Sequence, residues 1–149
     1  GVQTCALPIS HAPLQARIAG VALVTTVGPD GVVNVAPFSF FNVFAEDPPL
    51  CMFAINKRPD GRIKDTWTNI ERTGEFVVNL TDEPLALKMH ESSGDFPPNV
   101  GEPDYLGLKL APSVDIKTPR LADARLTQQP LQPDQERIRI DIFMRDNLP

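Results

Sequence analysis

The chain is 149 residues long, 42% hydrophobic and 22% charged, values that fit one globular domain able to bury a core. A net charge of −5 without any basic run argues against a nucleic-acid partner. No apolar stretch approaches the roughly 20 residues that cross a bilayer. The apolar N-terminal patch has no basic residues before it, so no secretory signal is read there and the cytoplasm is the default location. Two cysteines (Cys5, Cys51) and two histidines (His11, His90) without close spacing predict neither a disulfide framework nor a metal site. Proline, at 16 residues, is about twice its usual share and favours loops and strand ends over long helices.

Residues 1–17 show no period. The first nine read as translated adaptor sequence at the edge of a gene fragment, or else as an N-terminal strand. The β-branched run Val21 to Val27 predicts a strand. Gly28-Pro29-Asp30-Gly31 supplies turn chemistry, and Val32 to Ala36 predicts the returning strand of a hairpin. Pro37 lacks an N–H, so the ladder is expected to end or bulge there, with Phe38 to Asn42 leaving the sheet. Four phenylalanines (Phe38, Phe40, Phe41, Phe44) enclose Ser39 and Asn42, polar groups that need partners if buried. Such a cluster is either core or the wall of a site for a planar ligand.

Asp47-Pro48-Pro49 reads as a rigid connector and Leu50 to Ile55 as a buried strand. Ile63, Trp67 and Ile70 fall on one helical face, with Asp65 or Thr66 as the cap and Thr73-Gly74 as the stop. Glu75 to Leu80 predicts a strand. A second helix follows, with Pro84 in its first turn and an end near Ser92-Ser93-Gly94. Asp95 to Asp104 reads as a proline-rich loop, and Val114 to Lys117 as a possible strand. After Arg125 a polar, Gln-rich connector begins, and Arg137 to Ile142 alternates with period two like an edge strand, or else is non-native sequence.

Lys64-Asp65-Thr66 opens the first of these helices. A helix N-terminus offers unpaired N–H groups and partial positive charge, to which Lys64 adds a cation and Thr66 a hydroxyl. Arg58, across a glycine turn, can add a second cation. The set suits a phosphate, although a capped surface helix with solvated charges gives the same pattern. An aromatic, hydroxyl and amide loop followed by such a helix start suits a flat ring with a phosphate tail, as in FMN. Pyridoxal phosphate fits less well, because no lysine is singled out for a Schiff base.

Residues from about Arg17 to Ala122 resemble the flavin reductase-like FMN-binding split-barrel proteins of the flavoredoxin group. The resemblance is carried by Val24-Thr25-Thr26, Asn34-Val35-Ala36-Pro37-Phe38-Ser39-Phe40-Phe41-Asn42 and Pro48-Pro49-Leu50. It continues through Asp60-Gly61, Lys64-Asp65-Thr66, Asn69-Ile70, Thr73 to Leu80, Met89 to Pro98 and Tyr105-Leu106-Gly107-Leu108. It implies a mainly β fold with short helices, an antiparallel Greek-key split barrel over residues 18–124, and a homodimer with FMN at the subunit interface. By the same resemblance Ser39, Phe40, Phe41 and Asn42 contact the flavin or its ribityl chain. Lys64, Asp65 and Thr66 surround the phosphate with Arg58 as a helper, and His90 to Ser93 approach the ring. Asp65 is expected to hold a cap or orient Lys64, since like charges repel. The implied activity passes hydride or electrons between NADH or NADPH, FMN and a small-molecule or protein acceptor, with no protein nucleophile. A non-enzymatic FMN-binding electron carrier, or an inactive barrel fragment, is the alternative. Members of that group continue past the position of Ala122 into further barrel strands, so the chain is expected to be an incomplete member.

Overall fold

The computed structural model describes residues 2–6, 21–46, 49–97, 99–114, 116–124 and 127–128. The side chains of 2–6, 42–46, 49–52 and 128 lie outside that description, as do the sequence readings for residues 7–20, Asp47-Pro48 and Arg137 to Ile142. The chain is mainly β with short helices. In order, it forms β1 (Val2–Ala6), β2 (Ala22–Val27), β3 (Val33–Phe38), β4 (Phe41–Glu46) and β5 (Pro49–Ala54). There follow α1 (Asp65–Thr73), β6 (Val77–Leu80), a 3₁₀ turn (Glu83–Leu85) running into α2 (Ala86–Glu91), and α3 (Glu102–Leu106). Three two-residue strands follow among the described residues: β7 (Leu110–Ala111), β8 (Arg120–Leu121) and β9 (Thr127–Gln128).

All pairings are antiparallel, in sheets ordered β1-β5-β4 and β3-β2-β6-β9 with a β7-β8 pair beside them. Strand β2 is buried on both faces, and its alternation feeds two cores. Ala22 and Val24 face a cluster with Phe38, Phe41, Phe53, Ile70, Phe76 and Val78. Phe53 packs its ring between Phe38 and Phe76, with centroids 5.1 and 5.4 Å away. Leu23, on the other face, joins Val35, Leu85, Leu106, Leu108 and Leu121.

Pro37 does not end the ladder, because Leu23 pairs with Pro37 and Ala22 with Phe38. The reason lies in period two. Val35 turns its N–H away from β2, toward the Glu102 carboxylate at 3.1 Å, and Pro37, two residues on, points the same way. Its missing donor costs no sheet hydrogen bond. The backbone does leave this sheet after Phe38, but the Ser39-Phe40 bend feeds directly into β4 of the second sheet.

Other elements differ from the sequence reading. Helix α1 starts after Ile63, which is 45% exposed, and its buried face is Thr66, Asn69 and Ile70. Polar residues complete this face because the β2–β3 hairpin satisfies them. Lys64 takes the N-cap position with extended backbone, and neither Asp65 nor Thr66 caps the helix with its side chain. Glu75 stays out of β6, because its carboxylate accepts the N–H groups of Lys117 and Thr118 at 3.0 and 3.1 Å. The same contacts hold residues 116–118 in bends in place of the expected strand, with Val114 exposed. Within the proline-rich segment, Pro103 sits in the first turn of α3, where a missing N–H is harmless. Beyond Arg125, Thr127 and Gln128 pair with Asn79 and Val78. Among the described residues, no helix is long and apolar enough to cross a membrane.

Candidate functional site

Where β3, the start of α1, residues 56–59 and the segment after α2 meet, they enclose a cleft of about 480 Å³. The tight turn that carries Arg58 is built by backbone bonds from the Arg58 N–H to Arg62 and from Gly61 to Arg58, with Gly61 at φ 83°. Arg58 thus reaches the cleft with its guanidinium donating to Asp65 at 3.0 Å and to Asp95 on the opposite wall. The second ion pair ties the segment after α2 to the helix start.

Lys64 precedes α1 with φ −72° and ψ 145°. Among the described residues no side chain caps the helix, so the N–H groups of Asp65 and Thr66 keep their donor capacity and the dipole's positive end faces the cleft. The Lys64 ammonium lies 5.5 Å from the Phe38 ring centroid, a cation–π distance. Burial holds the Lys64 pKa below its ordinary value, and the Arg58 charge pushes the same way. Both penalties are relieved by an anion. Thr66, 1% exposed, accepts a hydrogen bond from Asn34 Nδ2 at 3.1 Å. Glu102 forms part of the wall and is held by the Val35 N–H, and burial raises its carboxyl pKa above the ordinary value.

Four of the residues singled out in the sequence, Arg58, Lys64, Asp65 and Thr66, come together on this cleft. Ser92 and Ser93 line it too, with their hydroxyls donating to the Met89 and His90 carbonyls. Ser39 and Phe40 lie in the exposed bend, Phe40 at 70% exposure, and Phe41 is packed in the core. Asn42 pairs with Met52 in β4, and its side chain lies outside the described residues. His90 is exposed on α2 and does not line the cleft. Sequence reasoning did not single out Asn34, Glu102 or Asp95. For Asn34 a signal existed: an amide inside the apolar run Val32 to Ala36 must be bonded if buried. Nothing local marks Glu102, whose partner is 67 positions away.

The family model described as a flavin reductase like domain matches residues 16–129. A protein of Aquifex aeolicus is 40% identical over 107 residues, covering 72% of this chain and 55% of that protein. The crystal structure of nitrilotriacetate monooxygenase component B from Bacillus cereus superposes with a TM-score of 0.69 at 31% identity, covering 81% and 62% of the two chains. A protein with a split barrel domain from Shewanella frigidimarina gives a TM-score of 0.65 at 20% identity over 81% and 62%, a likeness of fold. The chain spans about half the length of the curated relatives it matches. With its split-barrel architecture and a match over most of its length, the chain belongs to the flavin reductase-like domain family.

Proposed function

We propose that this domain binds FMN in the cleft and serves an FMN-dependent oxidoreductase that moves hydride or electrons from NADH or NADPH, through the flavin, to an acceptor. One observation carries the reading: an uncapped helix start, the Lys64 ammonium, the Thr66 hydroxyl and the Arg58 guanidinium converge on one cleft. These donors suit a phosphate, which binds at helix N-termini through N–H groups and dipole. Lys64, Thr66 and the first N–H groups of α1 would hold the phosphate, while Asp65 orients Arg58. Bound flavin supplies the redox chemistry, and the chain binds and orients it. Ser39, Phe40 and Asn42 are proposed to meet the ring or ribityl chain, with Phe41 packed behind them. A second copy, contributing the region of His90, would complete the site in a homodimer.

The test is retention of FMN by the purified chain, read from its visible spectrum, and bleaching of that spectrum by NADH or NADPH. No retention at micromolar FMN rejects the reading. Reduction by a protein donor but by neither nicotinamide makes the domain an electron carrier. Lys64→Ala is expected to raise the Kd for FMN about 10- to 100-fold, the equivalent of one charge-assisted hydrogen bond. Riboflavin, which lacks the phosphate, should be almost unaffected. Equal losses for both ligands would remove Lys64 from the phosphate site.

A further inference from the structure

We infer that Asn34 is a positioning residue for the phosphate end of the ligand, aiming the single hydrogen of the Thr66 hydroxyl into the cleft. The inference rests on the phosphate reading above and adds to it a residue that acts on the phosphate by orienting Thr66. Helix α1 is clamped to the β2–β3 hairpin by two matching bonds. Asn34 Nδ2 donates to Thr66 Oγ1 at 3.1 Å, and Asn69 Nδ2 donates to Thr26 Oγ1 at 3.1 Å. Thr66 and Asn69 are neighbours on one helix face, and Thr26 and Asn34 are direct partners across the strands. All four side chains are buried. The two bonds differ in one respect: Asn34 and Thr66 line the cleft, whereas Asn69 and Thr26 are not part of its wall.

A threonine hydroxyl has one hydrogen to give and two lone pairs to receive. With Asn34 donating to one lone pair, the Thr66 hydrogen is left to be given. The usual helical outlet is the carbonyl four residues back, and Thr73 on the same helix uses it, donating to Asn69 O at 2.8 Å. For Thr66 that position is Arg62, which precedes the helix and whose carbonyl accepts the Arg58 N–H at 2.8 Å. Among the described residues the Thr66 hydroxyl gives its hydrogen to no protein group. Beside Lys64 on the cleft wall, the hydrogen is available to an anionic oxygen.

The experiment measures Kd for FMN and for riboflavin, with thermal unfolding alongside, on the parent chain and five variants. Asn34→Ala frees the hydroxyl to rotate and is expected to weaken FMN about 10-fold, with little change for riboflavin. Asn34→Asp keeps the shape, so it guards against a folding defect. Its carboxylate captures the Thr66 hydrogen and repels phosphate, so the FMN loss should be larger. Asn69→Ala, which removes the matching bond, should lower the melting temperature without changing the FMN-to-riboflavin ratio. In a Thr66→Val background, Asn34→Ala should cause no further FMN-selective loss. Equal selectivity in Asn34→Ala and Asn69→Ala, or FMN binding by Asn34→Asp as tight as by the parent chain, overturns the inference. A parent chain that prefers FMN while Asn34→Ala keeps that preference overturns the inference alone. A parent chain with no preference for FMN over riboflavin overturns the phosphate reading and the inference together.

Discussion

Lys64 is held half-buried at a helix start, against an aromatic face and beside a guanidinium, with its pKa lowered chiefly by burial. A bound phosphate favours the charged form, so FMN affinity should be constant while Lys64 is protonated and fall once it is not. The expected alkaline limb in Kd has its midpoint in the free protein below the ordinary lysine value of 10.5. Lys64→Ala should abolish that limb, and a limb that survives would belong to another group. Glu102 behaves in the opposite sense. Burial, the largest cause, raises its folded pKa above 4.5, so the folded state binds a proton that the unfolded state releases. Its contribution to stability is full below the unfolded value and is lost as pH rises through the folded value. Glu102→Gln, which mimics the protonated acid, should match the parent near pH 4 and become the more stable of the two as pH rises. Denaturant unfolding across pH checks it, and a difference independent of pH would refute it. Lys64 and Thr66 were legible in the sequence because a helix start is a local pattern. Glu102 was not, since its chemistry comes from burial against a strand far away in the chain.

At the scale of elements, α1 shows what periodicity captures and what it misses. Trp67 and Ile70 lie on the face that packs against the core, and Gly74 ends the helix in the left-handed region at φ 68°, as the Thr73-Gly74 signal predicts. The helix opens at Lys64-Asp65-Thr66 as expected, but Ile63 stays off its buried face, which is completed by Thr66 and Asn69, residues that hydropathy counts as surface. The same blindness hides Asn79 in β6. It is fully buried, donates to Leu23 O at 3.0 Å and accepts the Leu121 N–H at 2.8 Å, so one amide joins β2, β6 and β8. The two-residue β8 depends on that bond, having only two register pairs with β7. Asn79→Ala leaves a buried N–H unpaired and should cost about 2–3 kcal/mol. Hydrogen exchange should show the loss concentrated at Leu121. A change below about 0.5 kcal/mol, the usual size for a surface substitution, would show that the site relaxes.

For the molecule as a whole, the hairpin β2–β3 and the strands β5 and β6 were legible because each is a local run bounded by turn residues, whereas β4 lay hidden where the chain was expected to leave the sheet. Their assembly was not legible, because sheet order depends on pairings such as β2 with β6 that bring together residues 52 (Thr25 and Val77) to 58 (Ala22 and Leu80) positions apart. The cleft inherits this non-locality, drawing walls from β3, from α1 and from the segment after α2, which the Arg58–Asp95 ion pair closes. A ligand bridging these walls adds contacts that the unfolded chain cannot make. FMN at a hundredfold excess over its Kd should therefore add about 2.7 kcal/mol of stability, or roughly 5–10 °C in melting temperature for a domain of this size. Riboflavin at the same concentration should give a smaller shift, and Arg58→Ala should reduce the FMN shift by loosening the far wall. If a second copy completes the site, the melting temperature with FMN bound must rise with protein concentration, since one liganded dimer then melts to two chains. Scans over a hundredfold range of protein concentration decide it: a melting temperature with FMN that does not change with concentration assigns the whole site to one chain.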